Sequence, residues 1–219
     1  MRRLQAIGGK PLSTASSSGS TPTESNLDAS TRSGRLYVWF IVVGAVAIAA
    51  DVVTKWLAAE FLQGGESVRL PTGAVYLSYT TNPGAAFNLA SDYTWLLALI
   101  ALAVIVFLLV IARKIRTKTW AVTLGLLLGG ATGNFIDRVF REPGFLHGEV
   151  VDFISLFAPN GQVWPIFNLA DSSLVVGVTL VVLLEFTGRS FSPLPDEEDS
   201  RSDGKTTSNS VDKQSKEAE

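Results

Sequence analysis

Residues Tyr93–Ala112 read "YTWLLALIALAVIVFLLVIA" and contain no charged side chain. About 20 apolar residues in a helix match the ~30 Å hydrocarbon core of a bilayer. A helix that is apolar all round has no face for water. The stretch therefore predicts a membrane span, and others like it follow along the chain. Trp120–Ile136 contains only Asn134 as a strongly polar residue. Ile166–Phe186 qualifies apart from Asn168, Asp171 and Glu185. Tyr37–Leu62 is long enough but carries Asp51 and Lys55 in its second half. The reading is an all-α membrane protein with four spans, at about 37–62, 93–112, 120–136 and 166–186. Tyr37, Trp39, Trp56, Tyr93, Trp95, Trp120 and Trp164 fall near span ends, where an interfacial aromatic belt forms.

Outside the spans the composition changes. The chain has 219 residues, 47% of them hydrophobic, but the apolar mass lies between the two ends. Residues 1–34 are rich in Ser, Thr and Gly, and 189–219 are almost wholly polar. Neither tail carries enough apolar surface to pack a core, so both are expected to be disordered around a membrane domain at 35–188. The first span is expected to stay attached, because its apolar run is long and no small-residue cleavage site follows it. Net charge is −2, and no basic tract interleaves with aromatics, so nucleic acid is not an expected partner. Absence of cysteine excludes disulfides, thiolate metal sites and a Cys nucleophile. The single histidine, His147, lies in a Gly-rich loop and reads as solvated.

Lys and Arg set the expected orientation. Arg113, Lys114, Arg116 and Lys118 crowd the link between spans two and three. Arg2, Arg3, Lys10, Arg32 and Arg35 precede span one. Both termini and that basic link are thus expected on the cytoplasmic side. The longer loops, about 63–92 and 137–165, are expected to face outward. In the first, Pro71-Thr72-Gly73 divides two β-prone runs, and Val75, Leu77 and Tyr79 alternate with Tyr76, Ser78 and Thr80. This predicts a small outward-facing hairpin or curved sheet. In span three, Gly125, Gly129 and Gly133 recur every fourth residue, a spacing that lets another helix approach closely. Packing inside the bundle explains them without a homodimer.

Polar groups inside spans usually face the bundle interior and mark function. Asp51 and Lys55 share a helix face at i, i+4 and can pair. Asn134, Asp137 and Arg138 share a face at the outward end of span three, where Asp137 and Arg138 also suit a solvated helix end. Asn168 and Asp171 do so in span four, and Asp152 lies in "EVVDFISLF". In the deduced topology all of these sit at one depth, near the outer interface, which favours a functional site. No zinc-helix motif, nucleophile elbow or nucleotide fingerprint is present. Carboxylates alone make a poor zinc site, so neither a metal nor another cofactor is expected. Two carboxylates that share a proton can instead hydrolyse a peptide, one taking a proton from water and the other donating one. Spacing alone leaves open which two aspartates form the pair.

The blocks "DVVTK", "TTNPGAAF", "GGATGNFIDRV", "VVDFI" and "FNLAD" occur in that order over roughly residues 37–186. Together they resemble the lipoprotein signal peptidases (signal peptidase II). The resemblance implies a catalytic pair at Asp152 and Asp171. It implies supporting or substrate-binding roles for Asp51, Lys55, Asn82, Gly130, Asn134, Asp137, Arg138 and Asn168. It also implies four transmembrane helices, an outer β-cradle and a short interfacial helix in a bacterial cytoplasmic membrane. The implied substrates are prolipoproteins already carrying diacylglyceryl, cut just before the lipidated cysteine. Membrane lipids would be the remaining partners, and a site within one bundle needs only a monomer. The link "FREPGFLHGE" is longer than the short link that the resemblance implies.

Two other readings use the same residues. A serine–lysine peptidase would draw on Lys55 with Ser172 or Ser173. A proton-coupled transporter would use Asp51, Lys55 and Asp171 as a relay. The clustering of polar groups at one depth, and the wholly apolar second span, weigh against transport.

Overall fold

The computed structural model describes residues 24–71, 73–84, 93–189 and 191, with side chains from residue 34 onward. Four long helices dominate: α1 (Glu24–Leu62), α2 (Thr94–Ile111), α3 (Lys118–Phe140) and α4 (Leu169–Phe186). All four have segments long and apolar enough to cross a membrane. Their outer surfaces carry exposed Val46, Val53, Phe61, Ile100, Phe107, Val110, Val175 and Val182. Such a belt is untenable in water and natural against acyl chains.

The helix ends differ from the sequence-based bounds. α1 starts at Glu24, inside the segment expected to be disordered. Residues 24–33 contain neither Pro nor Gly, and each residue added to an existing helix gains a hydrogen bond at low cost. Residues 1–23 and most of 189–219 lie outside the described residues. α3 runs on to Phe140, so Asp137 and Arg138 belong to the helix and are buried, not a solvated end. α4 begins at Leu169, and Asn168 is its N-cap. Trp120, in the first turn of α3, is buried: its ring meets Phe191 edge-on and its indole N–H donates to Arg189 O at 2.8 Å.

α3 is the central helix, packed against α1, α2 and α4. The every-fourth glycines explain how. A Cβ on Gly125 would strike Val43, one on Gly129 would strike Ala47, and one on Gly133 would strike the Asp51 carboxylate. Gly130, on another face, abuts Ala170 O and Leu174 of α4. The apolar core below the site gathers Leu36, Phe40, Leu108, Trp120, Leu124, Leu128 and Leu184.

Three strands cover one end of the bundle: β1 (Val68–Arg69), β2 (Val75–Asn82) and β3 (Val150–Leu156), antiparallel in the order β1-β2-β3. The expected hairpin is β1–β2, with Gly73 at a φ of 76° in its turn. β3 was not expected as a strand. It pairs Thr80 with Asp152 and Asn82 with Val150. Its sequence, VVDFISL, shows no alternation of apolar and polar residues, because the strand is buried on both faces. Besides the long helices and the three strands, the described residues hold two short 3-10 turns, Ala112–Lys114 and Pro159–Gly161.

Candidate active site

The chain entering α4 is bound to β3. Phe153 N and Ile154 N donate to Phe167 O, and Phe167 N donates to Ile154 O. This lacing sets Asn168 beside Asp152. Asn168, fully buried, then joins two carboxylates. Its Nδ2 donates to Asp152 Oδ1 at 2.7 Å, and its backbone N–H donates to Asp171 Oδ2 at 3.2 Å. Asn168 Oδ1 accepts from Asp171 N at 2.8 Å, completing a reciprocal capping box. Asp171 thus sits in the first turn of α4, where the positive end of the helix favours an anion.

Each carboxylate has a further amide partner. Asn134 Nδ2 donates to Asp171 Oδ1 at 2.7 Å, and Asn82 Nδ2 donates to Asp152 Oδ2 at 3.2 Å. Asn134 Oδ1 accepts from Lys55 Nζ at 3.0 Å and from Asn168 Nδ2 at 3.2 Å, which fixes which way its amide points. Arg138 does not touch the carboxylates through a hydrogen bond. It donates from Nη1 to Asn134 O and from Nη2 to Gly84 O. Gly84 N in turn donates to Asn82 Oδ1. The guanidinium therefore clamps the turn that carries Asn82.

Asp51, Lys55 and Asp137 form a separate cluster one layer behind. Lys55 Nζ lies 2.8 Å from Asp51 Oδ2 and 2.9 Å from Asp137 Oδ2. Asp51 Oδ1 accepts from Ala170 N at 2.8 Å, so α1 supplies a second cap to α4. Asp137 Oδ2 accepts from Val151 N, next to Asp152, and its Oδ1 pairs with Arg141 Nε at 2.5 Å.

This separates the four aspartates by chemistry. Asp51 and Asp137 are tied to cations. Asp152 and Asp171 meet only amides, and Asn168 holds one beside the other. Burial, and then the neighbouring charge of Asp171, push the Asp152 carboxyl up to about 7, against the opposing pull of Asn82, Asn168 and Lys55. The arrangement suits a pair that holds one proton at neutral pH.

All ten residues singled out in the sequence fall in or against this assembly, although Gly130 contributes only close helix packing. His147 is exposed and meets Phe145 O. Sequence reasoning missed three contributors: Arg141, Gly148 and the Val151 backbone. Arg141 had a signal, standing four residues after Asp137 as Lys55 stands after Asp51. Gly148 had none: its N–H donates to Arg138 O, and a Cβ there would collide with Asp137 O.

A bundle of helices long and apolar enough to span a membrane, closed by a small sheet, with two carboxyls joined through Asn168 between them, describes a multi-pass membrane protein with a buried polar centre. The family model for signal peptidase (SPase) II matches residues 43–187. The chain is 44% identical over 154 residues to a lipoprotein signal peptidase of Rhodococcus jostii (strain RHA1), covering 70% of this chain and 75% of the relative. It is 44% identical over 149 residues to a lipoprotein signal peptidase of Mycobacterium leprae (strain Br4923), covering 68% and 72%. Among solved structures, a bacterial membrane enzyme determined in meso at 2.3 Å superposes with a TM-score of 0.60 at 31% identity, covering 72% of this chain and 93% of that one. The chain belongs to the signal peptidase II family and is a bacterial membrane peptidase.

Proposed function

We propose that the protein removes signal peptides from diacylglyceryl-modified prolipoproteins, cutting just before the lipidated cysteine, by aspartic catalysis at Asp152 and Asp171. One observation carries the reading: among the described residues, of the four buried or half-buried aspartates, these two alone make no direct ion pair, and Asn168 bonds to both. Asp152 holds the shared proton, hydrogen-bonds the scissile carbonyl oxygen and passes the proton to it as the water attacks, leaving a neutral diol and an Asp152 carboxylate. The Asp171 carboxylate takes a proton from a water, and the water oxygen attacks the carbonyl carbon. The tetrahedral diol then collapses: the C–N bond breaks, and the proton on Asp171 passes to the leaving cysteine amine. Asp152 regains its proton from the diol hydroxyl. Asn82 and Asn134 hold the carboxylates in register, and Lys55 and Asp51 support them from behind.

The site lies at the level of the α1, α3 and α4 ends, where a lipid anchored in the outer leaflet would present the bond after its signal helix. This fits a chain with both termini cytoplasmic, a site at the outer face and a monomeric enzyme. The serine–lysine alternative lacks geometry. Ser172 Oγ donates to Asn168 O, Ser173 Oγ donates to Leu169 O, and Lys55 is held by Asp51 and Asp137.

The test is cleavage of a diacylglyceryl-modified prolipoprotein by purified protein in detergent. Wild type should release the signal peptide, while Asp152→Asn and Asp171→Asn should lose at least about 10³-fold in kcat, as loss of an acid–base partner does. Near wild-type cutting by either variant would exclude the pair. Loss of activity in Ser172→Ala or Ser173→Ala would restore the serine reading.

A further inference from the structure

Two buried carboxylates, Asp51 and Asp137, share the single ammonium of Lys55. Alone, this cluster would bury a surplus negative charge, which is costly in a low-dielectric interior. Arg141 removes the surplus. It follows the last residue of α3, one turn beyond Asp137, and its Nε lies 2.5 Å from Asp137 Oδ1. The balance then extends to the catalytic pair. Around the site, among the described residues, stand Asp51, Asp137, Asp152 and Asp171 against Lys55, Arg138 and Arg141. That set is neutral when the pair carries one proton, the state that hydrolysis requires.

Resting on the aspartic reading above, we propose that Arg141 is a positioning residue. By neutralising Asp137 it leaves Lys55 free to hold the Asn134 amide toward Asp171, and it sets the pH range over which the pair keeps one proton. The path is continuous: Arg141 to Asp137 at 2.5 Å, Asp137 to Lys55 at 2.9 Å, Lys55 to Asn134 at 3.0 Å, Asn134 to Asp171 at 2.7 Å. A branch from Asp137 to Val151 N anchors the strand of Asp152. Without Arg141, Asp137 draws Lys55 more strongly and the Asn134 amide loses its fixed acceptor role.

The charged groups around Arg141 are few. Asp137 faces it from α3, with Lys55 and Asp51 of α1 behind. Glu142 and Glu149 share with it a cavity of about 610 Å3, to which β2 contributes Tyr79 and Thr81, α1 contributes Ala59, and Gln63 follows just after α1. The pair itself is faced by Lys55 and Asp51 from α1, Asp137 and Arg138 from α3, and by each other from β3 and α4. The Arg141 side chain is 32% exposed through that cavity, so the ion pair is a hydrated end of a buried chain.

Arg141→Gln leaves one uncompensated negative charge near the pair, which makes loss of the shared proton harder. The expected result is a kcat lower by about tenfold, the equivalent of one charge-assisted hydrogen bond. KM stays near wild type, and the alkaline limit of the pH profile moves to higher pH. Arg141→Lys, which keeps the charge, restores most of kcat and the wild-type limit. Glu142→Gln on the same loop leaves kcat unchanged. An unaltered pH limit in Arg141→Gln, or failure of Arg141→Lys to restore it, overturns the proposal. Infrared titration of the carboxyl C=O band, with Asp152→Asn to assign it, needs no substrate. An upward midpoint shift in Arg141→Gln supports the inference even if no prolipoprotein is cut, and a static midpoint refutes it.

Discussion

Asp152 and Asp171 differ in environment although both are aspartates. Asp171 occupies the first turn of α4, and Asp152 sits on a buried strand with two amide donors and no direct ion pair. With its carboxyl pushed up to about 7, Asp152 is about half protonated at neutral pH and gives up its proton as pH rises further. Peptide cleavage should therefore decline as pH rises through about 7. Asn168→Ala removes a donor that favours ionised Asp152, so its alkaline limit should move upward. It also removes a helix cap, at a cost of about 1 kcal/mol. pH–rate profiles of wild type and variant check this, and a limit that stays put or falls would contradict it. Stability has the same sign. The raised carboxyl favours the folded state fully below its ordinary value, and that contribution is lost as pH rises through about 7. Most of the site is legible in the sequence because its residues are ionisable or amide groups where apolar ones belong. Arg141 escaped notice because an arginine just past a span looks like an ordinary charged loop residue. The choice of pair also needed coordinates: only the ion pairs show that Asp51 and Asp137 are already neutralised.

The elements explain how four polar segments meet inside an apolar bundle. In hydrocarbon, helices gain little by hiding apolar surface from one another, so close packing and polar contacts hold them. The stripe of Gly125, Gly129 and Gly133 lets α1 lie against α3 closely enough for Asp51 to reach Ala170 N and for Lys55 to reach Asn134. Gly129→Leu should force the two helices apart. Overpacking of this kind costs about 1–3 kcal/mol, and the displaced Lys55 should carry activity down with it. Thermal unfolding in detergent should show the loss, while Gly65→Ala, exposed beyond the end of α1, should unfold like wild type. An unchanged unfolding temperature in Gly129→Leu would mean that the helices do not depend on this contact. The spacing of the stripe was readable, and so was its use within one bundle. β3 was not readable, because a strand buried on both faces has no alternating pattern. Its place became visible only through its pairing with β2 and its bridge to Phe167.

At the scale of the whole molecule, the apolar lengths of the helices define the spans, while their ends answer to other forces. Helix α3 continues past its apolar stretch because Asp137 and Arg138 find partners inside the bundle rather than in solvent. The sidedness we propose for the bundle rests on the basic residues around Arg113–Lys118, a kind of segment that resists translocation, with the sheet closing the opposite end. The chain contains no cysteine, so single cysteines can report sidedness without background. Glu66 lies in the exposed segment before β1, and Arg116 lies in the exposed link between α2 and α3. In intact cells, a membrane-impermeant maleimide should label Glu66→Cys, and should label Arg116→Cys only after the membrane is opened. The reverse pattern would put the carboxyl pair at the cytoplasmic face, away from signal peptides that have already crossed. Labelling of both sites in intact cells would break the four-span topology itself. The expected pattern puts Asp152 and Asp171 at the depth where a lipid-anchored substrate changes from membrane helix to water-borne chain.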